Sequence, residues 1–435
     1  MEHPPSYATD RRFLFLQGPH GPFFAVVARH LRAAGCQCFR VGFNAGDRSF
    51  WPRTGYLPFR KPLSDWPDHC ADLLRQHEIT DLVVYGDTRE IHAEAIALAR
   101  ARGITVHIFE EGYLRPHWVT YERNGANGQS PLAAVTPAQI KDALGSKLDP
   151  APDAPARWGD LKHHVFYGAL YHLCVWLGRL RYPHYHSHRN IGVVAEFRFY
   201  FKTLMRMPLT AFERRLATAR IKRGGFPYHL VLLQLPHDAS FRDHSEFTSI
   251  DQFLACVVDA FADGAPAHHR LVFKAHPLED GRVPLKRLIS RLARKRSIEN
   301  RVNLVHGGKL ARLLDTAQSA VTVNSTAAQQ ALWRGLPLKA FGRAVYCKPG
   351  LTSDAPLASF FADPTPPEMD TYRLFRQYML ETSQVRGGFY ARRGRQFLTR
   401  QAVDLMLQPH DRYAALASDV AAPKPQLQLV NQSKG

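Results

Sequence analysis

DLVVYGDTREIHAEAIALARARGITVHIFEEG, residues 81–112, decides the fold. Its two ends, DLVVYGD (81–87) and TVHIFEEG (105–112), are short apolar runs closed by Gly and acidic residues. Between them, residues 90–102 space their apolar side chains as one face of a helix. A strand, a helix and a strand in that order form a crossover unit, whose strands pair in parallel. Upstream, FLFLQG (13–18) and CQCFRVGF (36–43) read as two more buried strands, with helical stretches near 22–34 and 66–77. The repeat of this unit predicts an open parallel sheet with helices on both faces, over residues 1–135.

A second series begins near residue 228. HLVLLQL (229–235), RLVFKAHP (270–277), VNLVHGG (302–308) and AVTVNS (320–325) read as strands, with helices expected at 247–263, 283–296 and 326–334. The chain is therefore expected to be α/β, with two Rossmann-like domains (1–135 and 228–350) facing across a cleft. In such sheets ligands sit at the carboxyl ends of the strands. Residues 136–227 are expected to be a basic, aromatic-rich helical segment and 351–419 C-terminal helices. The stretch 420–435 is expected to be a disordered tail.

Charge sets the class of partner. The 435 residues carry 57 Lys and Arg against 38 Asp and Glu, a formal +19. Such a surplus calls for anionic partners. It is concentrated in 179–223, where eleven basic residues meet only Glu196 and Glu213, with Phe197, Phe199, Tyr200 and Phe201 interleaved. Arg198, Lys202 and Arg206 are the candidates for contact with lipid headgroups; a solvated basic helical face is the alternative. No nucleic-acid motif accompanies the charge, so nucleic acid is not expected as a partner. No secretory signal is expected, because residues 1–18 hold no apolar core long enough for one, and the aromatic-rich stretch 165–178 falls short of the roughly 20 residues of a membrane span. Six cysteines without a Cys-x-x-Cys pair read as reduced thiols of a cytoplasmic protein.

The polar motifs fall at strand ends. QGPHGPFF (17–24), with Gln17, leaves the first strand through a turn permitted by Gly18 and Gly21; it lacks the G-x-G-x-x-G fingerprint of dinucleotide enzymes. YGDTREIH (85–92) brings Asp87, Arg89 and His92 to one strand end, and FEEGYLRP (109–116) brings Glu110, Glu111 and Arg115 to another. Carboxylates placed so can move a proton while arginines hold an anion; a purely structural ion lattice is the alternative. In KAHP (274–277), Lys274 and His276 suit a phosphate that becomes a leaving group. VNSTAAQQALWRGLP (323–337) delivers Asn324, Ser325 and Thr326 to a helix start, either as an anion site or as simple caps. QLPHDAS (234–240) adds Asp238. No Asp-x-Asp and no His-Glu-x-x-His occurs, so neither a metal-bridged pyrophosphate donor nor zinc hydrolysis is expected.

Taken together, FLQGPHGPFF (15–24), FNAGD (43–47), YGDTREIH, FEEGYLRP, KAHP and NSTAAQQALWRGLP (324–337) resemble the capsule polysaccharide biosynthesis/export family. Specifically, the sequence resembles the β-Kdo transferases that start the lipid-linked oligo-Kdo primer of Gram-negative capsules, and the resemblance runs in order from about residue 12 to 350. It implies a GT-B arrangement and retaining, metal-independent transfer of Kdo from CMP-β-Kdo to (lyso)phosphatidylglycerol. It places the protein peripherally on the cytoplasmic face of the inner membrane, alongside other capsule biosynthesis and export proteins. CMP-Kdo is then a substrate, and no cofactor is implied. Asp238 would carry the sugar covalently, with Asp87 in reserve, and Glu111 or Glu110 would be the acid/base. Lys274, His276, Asn324, Ser325 and Thr326 would hold the nucleotide, while Arg89 and Arg115 would meet the sugar carboxylate beside His92 and Gln17. A competing reading is a non-catalytic component of the export machinery that holds the lipid-linked chain through its basic segment.

Overall fold

The computed structural model describes residues 10–52, 54–145, 160–186, 192–235, 241, 245–276, 279, 283–306 and 309–417. In chain order the first half contains β1 (Arg12–Phe15), α1 (Phe23–Ala33), β2 (Gln37–Gly42), α2 (Ala45–Ser49) and β3 (Tyr56–Pro58). These are followed by α3 (Trp66–Gln76), β4 (Asp81–Tyr85), α4 (Glu90–Arg100), β5 (Thr105–Glu111) and β6 (Trp118–Arg123). Short helices α5 (Pro131–Ala134) and α6 (Pro137–Leu144) lead to two long ones, α7 (Asp160–Leu177) and α8 (Val193–Arg223). The second half runs β7 (Tyr228–Leu232), α9 (Ile250–Gly264), β8 (Arg270–Ala275), α10 (Leu285–Lys295), β9 (Val302–His306), α11 (Leu310–Leu314), β10 (Ser319–Thr322), α12 (Gln329–Leu332) and β11 (Leu338–Ala340). After it come α13 (Leu357–Ala362), α14 (Met369–Thr382), β12 (Gln384–Arg386), α15 (Arg392–Leu407) and α16 (Arg412–Ala417).

The strands form two sheets, ordered β12-β6-β5-β4-β1-β2-β3 and β11-β10-β7-β8-β9. The second is parallel throughout. The first, expected to be purely parallel, ends in an antiparallel edge, because β6 pairs antiparallel to β5 and β12 to β6. Six residues separate β5 from β6, too few for a crossover helix, so the chain can only fold straight back. Strand order reverses between β4 and β1 in the first sheet and between β10 and β7 in the second. Those reversals open the crevices in which doubly wound sheets bind ligands.

Both sheets are covered on both faces, which is why their strands are nearly continuous apolar runs. In the first, Leu14, Val41, Leu82 and Ile108 pack with Trp66 and Ile96 on one side. Phe13, Phe15, Val83 and Phe109 pack with Phe23, Val27 and Leu31 on the other. A fully buried side chain of this size contributes about 1.5–3 kcal/mol. Residues 351–419, expected as helices alone, also contain β12 and cross back to the first sheet. Leu398, Ala402 and Met406 of α15 join the α1 core there, while Tyr372, Phe375 and Met379 of α14 pack in the second half.

The basic middle segment is a helical hairpin fixed to the first half by FNAGD. Asn44 caps α2 by accepting from the Asp47 amide at 2.9 Å. Buried Asp47 pairs with Arg40 at 3.1 Å and accepts from the Tyr171 hydroxyl of α7 at 3.1 Å, while Asn44 Nδ2 donates to that hydroxyl at 2.7 Å. A Cβ on Gly46 would stand 2.7 Å from the Tyr171 ring, so the close approach needs glycine. Within the hairpin, Trp176 stacks on Phe197 with centroids 5.7 Å apart.

Candidate active-site cleft

One cavity of about 1070 Å³ lies between the halves and takes walls from both sheets. Gln17 after β1 and Gly86 after β4 border it on one side; Gln234 after β7 and Asn324 after β10 border it on the other. The two strand-order reversals therefore face each other across a single space.

On the first-sheet side, half-buried Glu110 and Glu111 end β5 and line the cleft with Arg89 and Arg115. The carboxyl of Glu110 lies against Gly86, whose φ of +74° and missing Cβ make the room; a Cβ there would be 2.8 Å from Glu110 Oε2. Loss of solvent pushes the Glu110 carboxyl up to about 7, with the charges of Glu111 and Asp87 adding to the rise; a hydrogen bond from the Glu111 amide at 3.1 Å opposes it. A carboxyl that titrates near neutrality can both give and take a proton. Glu111 accepts from the Tyr85 hydroxyl at 3.2 Å, and the Arg89 guanidinium sits 5.6 Å from the Tyr85 ring. Buried Asp87 accepts from the Ala126 amide at 3.0 Å, and it does not border the cavity. Arg115, which lines the cleft, donates through Nε to the Gly112 carbonyl at 3.1 Å.

The second-sheet side is built on a reciprocal amide pair. Gln234 Nε2 donates to Asn324 Oδ1 at 2.7 Å, and the Asn324 amide donates to Gln234 Oε1 at 3.0 Å. Ser325 caps the following turn by accepting from the Ala327 amide at 3.3 Å, and the Tyr346 hydroxyl donates to the Ser325 carbonyl at 2.8 Å. The helix expected at 326–334 is a 3-10 turn, Thr326–Ala328, followed by the four-residue α12. The turn that follows it contains Gly335 at φ +67°. So short an element has little dipole; the side chains that line the cavity at this strand end are Ser325, Thr326 and His276.

Aromatic and imidazole rings form a further wall. His20 stacks on Tyr171 at 4.5 Å, His164 stacks on Tyr390 at 4.3 Å, and His172 stacks on Tyr200 at 4.8 Å. Of these rings His20, His164, Tyr200 and Tyr390 border the cavity. The wall thus joins the first β–α turn, α7, α8 and the loop before α15.

The expected site residues are not all brought together. Gln17, Glu110, Glu111, Arg89, Arg115, His276, Asn324, Ser325 and Thr326 border the cavity. His92, expected beside the acceptor, is fully buried under the loop, bonded to the Gly86 carbonyl at 2.9 Å, and burial pushes it down to about 3. It is a neutral structural ring. Lys274 is buried at the end of β8 and does not border the cavity. Gln17 turns its amide to Asp47 at 3.2 Å, so it also supports the hairpin anchor. Arg198 and Lys202 are exposed on α8, away from the cleft. Asp238 and the Arg206 side chain lie outside the described residues, as does 420–435. Gln234, Tyr85, His164, Arg343, Tyr346 and Tyr390 are cleft residues not expected from the sequence, and Tyr200, expected within the basic segment, lines the cleft as well. Among them only Tyr390 carried a signal, the Gly-Gly before it in RGGFY (386–390). Among the described residues no group of three or more His, Cys, Asp or Glu side chains is placed to hold a metal ion, and no helix is long and apolar enough to cross a membrane.

Comparison with known proteins adds four findings. Residues 80–390 match the family model described as capsule polysaccharide biosynthesis protein. The chain is 32% identical over 384 residues to the capsule polysaccharide export protein KpsS of Escherichia coli, covering 88% of this chain and 97% of that one. It is 31% identical over 384 residues to the capsule polysaccharide modification protein LipB of Neisseria meningitidis serogroup B, covering 87% of this chain and 91% of that one. Among solved structures, the β-Kdo 2,7 transferase of Thermosulfurimonas dismutans KpsC aligns over 91% of this chain and 98% of its own. At 13% identity and a TM-score of 0.42, that likeness is too loose to carry chemistry across.

Proposed function

The chain belongs to the capsule polysaccharide biosynthesis protein family, and we propose that within it this protein is a retaining, metal-independent β-Kdo transferase. The donor is CMP-β-Kdo and the acceptor is (lyso)phosphatidylglycerol at the cytoplasmic face of the inner membrane. The observation that carries this reading is the cleft itself: a carboxyl poised near neutrality on one wall faces a hydroxyl-rich, His-bearing strand end on the other.

The chemistry proceeds in two displacements. A carboxylate oxygen of Asp238 bonds to the anomeric carbon as the bond to the CMP phosphate breaks, and the electron pair leaves with CMP. The acceptor hydroxyl then bonds to the same carbon from the opposite face. Its proton passes to Glu110, and Asp238 departs as a carboxylate. Two inversions give net retention. Glu110 suits the acid/base role because its carboxyl, in the cleft wall, is pushed up to about 7. Glu111 is tied to Tyr85 and shapes that environment. His276, Ser325 and Thr326 meet the departing phosphate, Gln234 and Asn324 border the nucleotide, and Arg89 and Arg115 balance the carboxylate of the sugar.

The test is CMP release by purified protein supplied with CMP-Kdo generated in situ and a fluorescent phosphatidylglycerol, with Asp238→Ala and His276→Ala alongside. Acceptor-dependent release that both variants abolish supports the transferase. A folded protein that neither binds CMP nor releases it is instead a non-catalytic partner of the export machinery.

A further inference from the structure

The outward faces of α7 and α8 are apolar where a water-facing helix would be polar. On α8, Phe201 is 50% exposed, Met205 66%, Leu209 52% and Phe212 60%, with Val194 and Leu216 also exposed. At 100° per residue these six fall within an arc of about 80°, opposite the buried Tyr200, Thr218 and Ile221. The same holds for Phe166, Leu170 and Leu177 of α7, which fall within about 40° of one another. At the turn of the hairpin Leu180 is 86% exposed between Arg179 and Arg181. Such an apolar face, with the exposed guanidiniums of Arg198 and Arg223 set within the α8 arc, marks an interaction surface.

The basic residues on and beside it say what covers it. Arg198, Lys202, Arg220, Lys222 and Arg223 are exposed along α8, and the segment 179–223 carries eleven basic residues against two acidic. A second copy docked about a two-fold axis would set two such basic faces against each other, which repulsion disfavours. An anionic lipid surface matches both features, since it takes apolar side chains below the headgroups and basic ones among them. Neither helix is long and apolar enough to cross. The opposite sides of the same two helices supply His164 and Tyr200 to the cleft wall.

We infer that the outward face of the α7–α8 hairpin beds in the headgroup–acyl boundary of an anionic bilayer and holds the cleft at that surface, so that a lipid headgroup enters it past His164 and Tyr200. The docking stands on the hairpin alone; the entry of a lipid acceptor rests on the transferase reading above. FNAGD, through Tyr171, fixes the hairpin relative to the first sheet, so the depth of docking sets where the cleft lies.

Flotation of the full chain with phosphatidylcholine vesicles, with and without about 30% phosphatidylglycerol, tests this against F201S/F212S and R198Q/K202Q. All four positions are exposed, so the variants keep the wild-type thermal midpoint. The wild type is expected to float with the anionic vesicles and to be only partly released by salt. Each pair should lower partitioning by about tenfold or more. A wild type that stays down, or F201S/F212S protein that floats as well as wild type, overturns the inference. So does a wild-type dimer in solution that the apolar substitutions convert to monomer, since a second copy then covers the face. Turnover on a dissolved short-chain phosphatidylglycerol separates the two readings. F201S/F212S protein that keeps it while losing vesicle binding supports docking; F201S/F212S protein that loses it while still folded and able to bind CMP assigns the face to catalysis and overturns docking. No turnover in any protein, with vesicle binding intact, removes the transferase and leaves the docking standing.

Discussion

Gly86 has one job that no other residue can do. Its φ of +74° costs a side-chain-bearing residue about 1–2 kcal/mol, and a Cβ would meet Glu110 Oε2 at 2.8 Å. Gly86→Ala is therefore expected to lower turnover about tenfold or more with only a modest drop in thermal midpoint. It should also move the pH limb of kcat toward the ordinary carboxyl range, as Glu110 is displaced into water; an unmoved limb at reduced kcat would detach Glu110 from it. A second carboxyl, Glu122, is raised from 4.5 to about 7 by burial and accepts from Tyr113, Ser130 and Tyr413, but it stands outside the cleft. The folded chain keeps this proton between about pH 4.5 and 7, where the unfolded chain releases it, so stability falls as pH rises through that window. Glu122→Gln should flatten the fall and be more stable than wild type by roughly 1–3 kcal/mol at pH 8, with little difference at pH 5. Thermal melts across that range check it.

At the scale of elements, the cleft depends on strand ends meeting in register. Gln234 and Asn324 lock β7 to β10 where the strand order reverses. Gln234→Ala leaves the Asn324 amide without its side-chain acceptor and should weaken CMP binding about tenfold, a cost of about 1–2 kcal/mol, while the sheets persist. Titration of CMP by calorimetry measures it; unchanged affinity would place the nucleotide elsewhere. The longer strands were legible because they are largely buried and read as apolar runs, and the helices because their spacing differs from that of the strands; β3 and β11, three-residue strands at the sheet edges, were too short to read. β6 and β12 were not legible: an antiparallel edge depends on the length of the β5–β6 turn and on a return of the chain some 260 residues later. Nor could sequence show that His92, three residues after Arg89, would turn under its own loop, or that the 326–334 stretch would tighten into a 3-10 turn. Gln234 sits inside an apolar run and becomes conspicuous only once Asn324 is opposite it.

Over the whole molecule, β12 and α15 bind the end of the chain to the first sheet while α14 stays with the second, so the two walls of the cleft are joined by more than one crossing. One half brings the proton-handling carboxyl, the other the hydroxyls and imidazole suited to a phosphate, and the hairpin brings the surface of basic and apolar residues. On the proposed reading, transfer to a lipid draws on all three. The most direct measurement is the mass of the lipid product formed from CMP-Kdo and phosphatidylglycerol across pH 5–9, by wild type and Glu110→Gln. The account predicts a product heavier by one Kdo residue, a wild-type rate whose pH dependence bends near 7, and a loss of about 10²-fold or more in the variant. An unmodified lipid at every pH, or a Glu110→Gln rate equal to wild type, would contradict it.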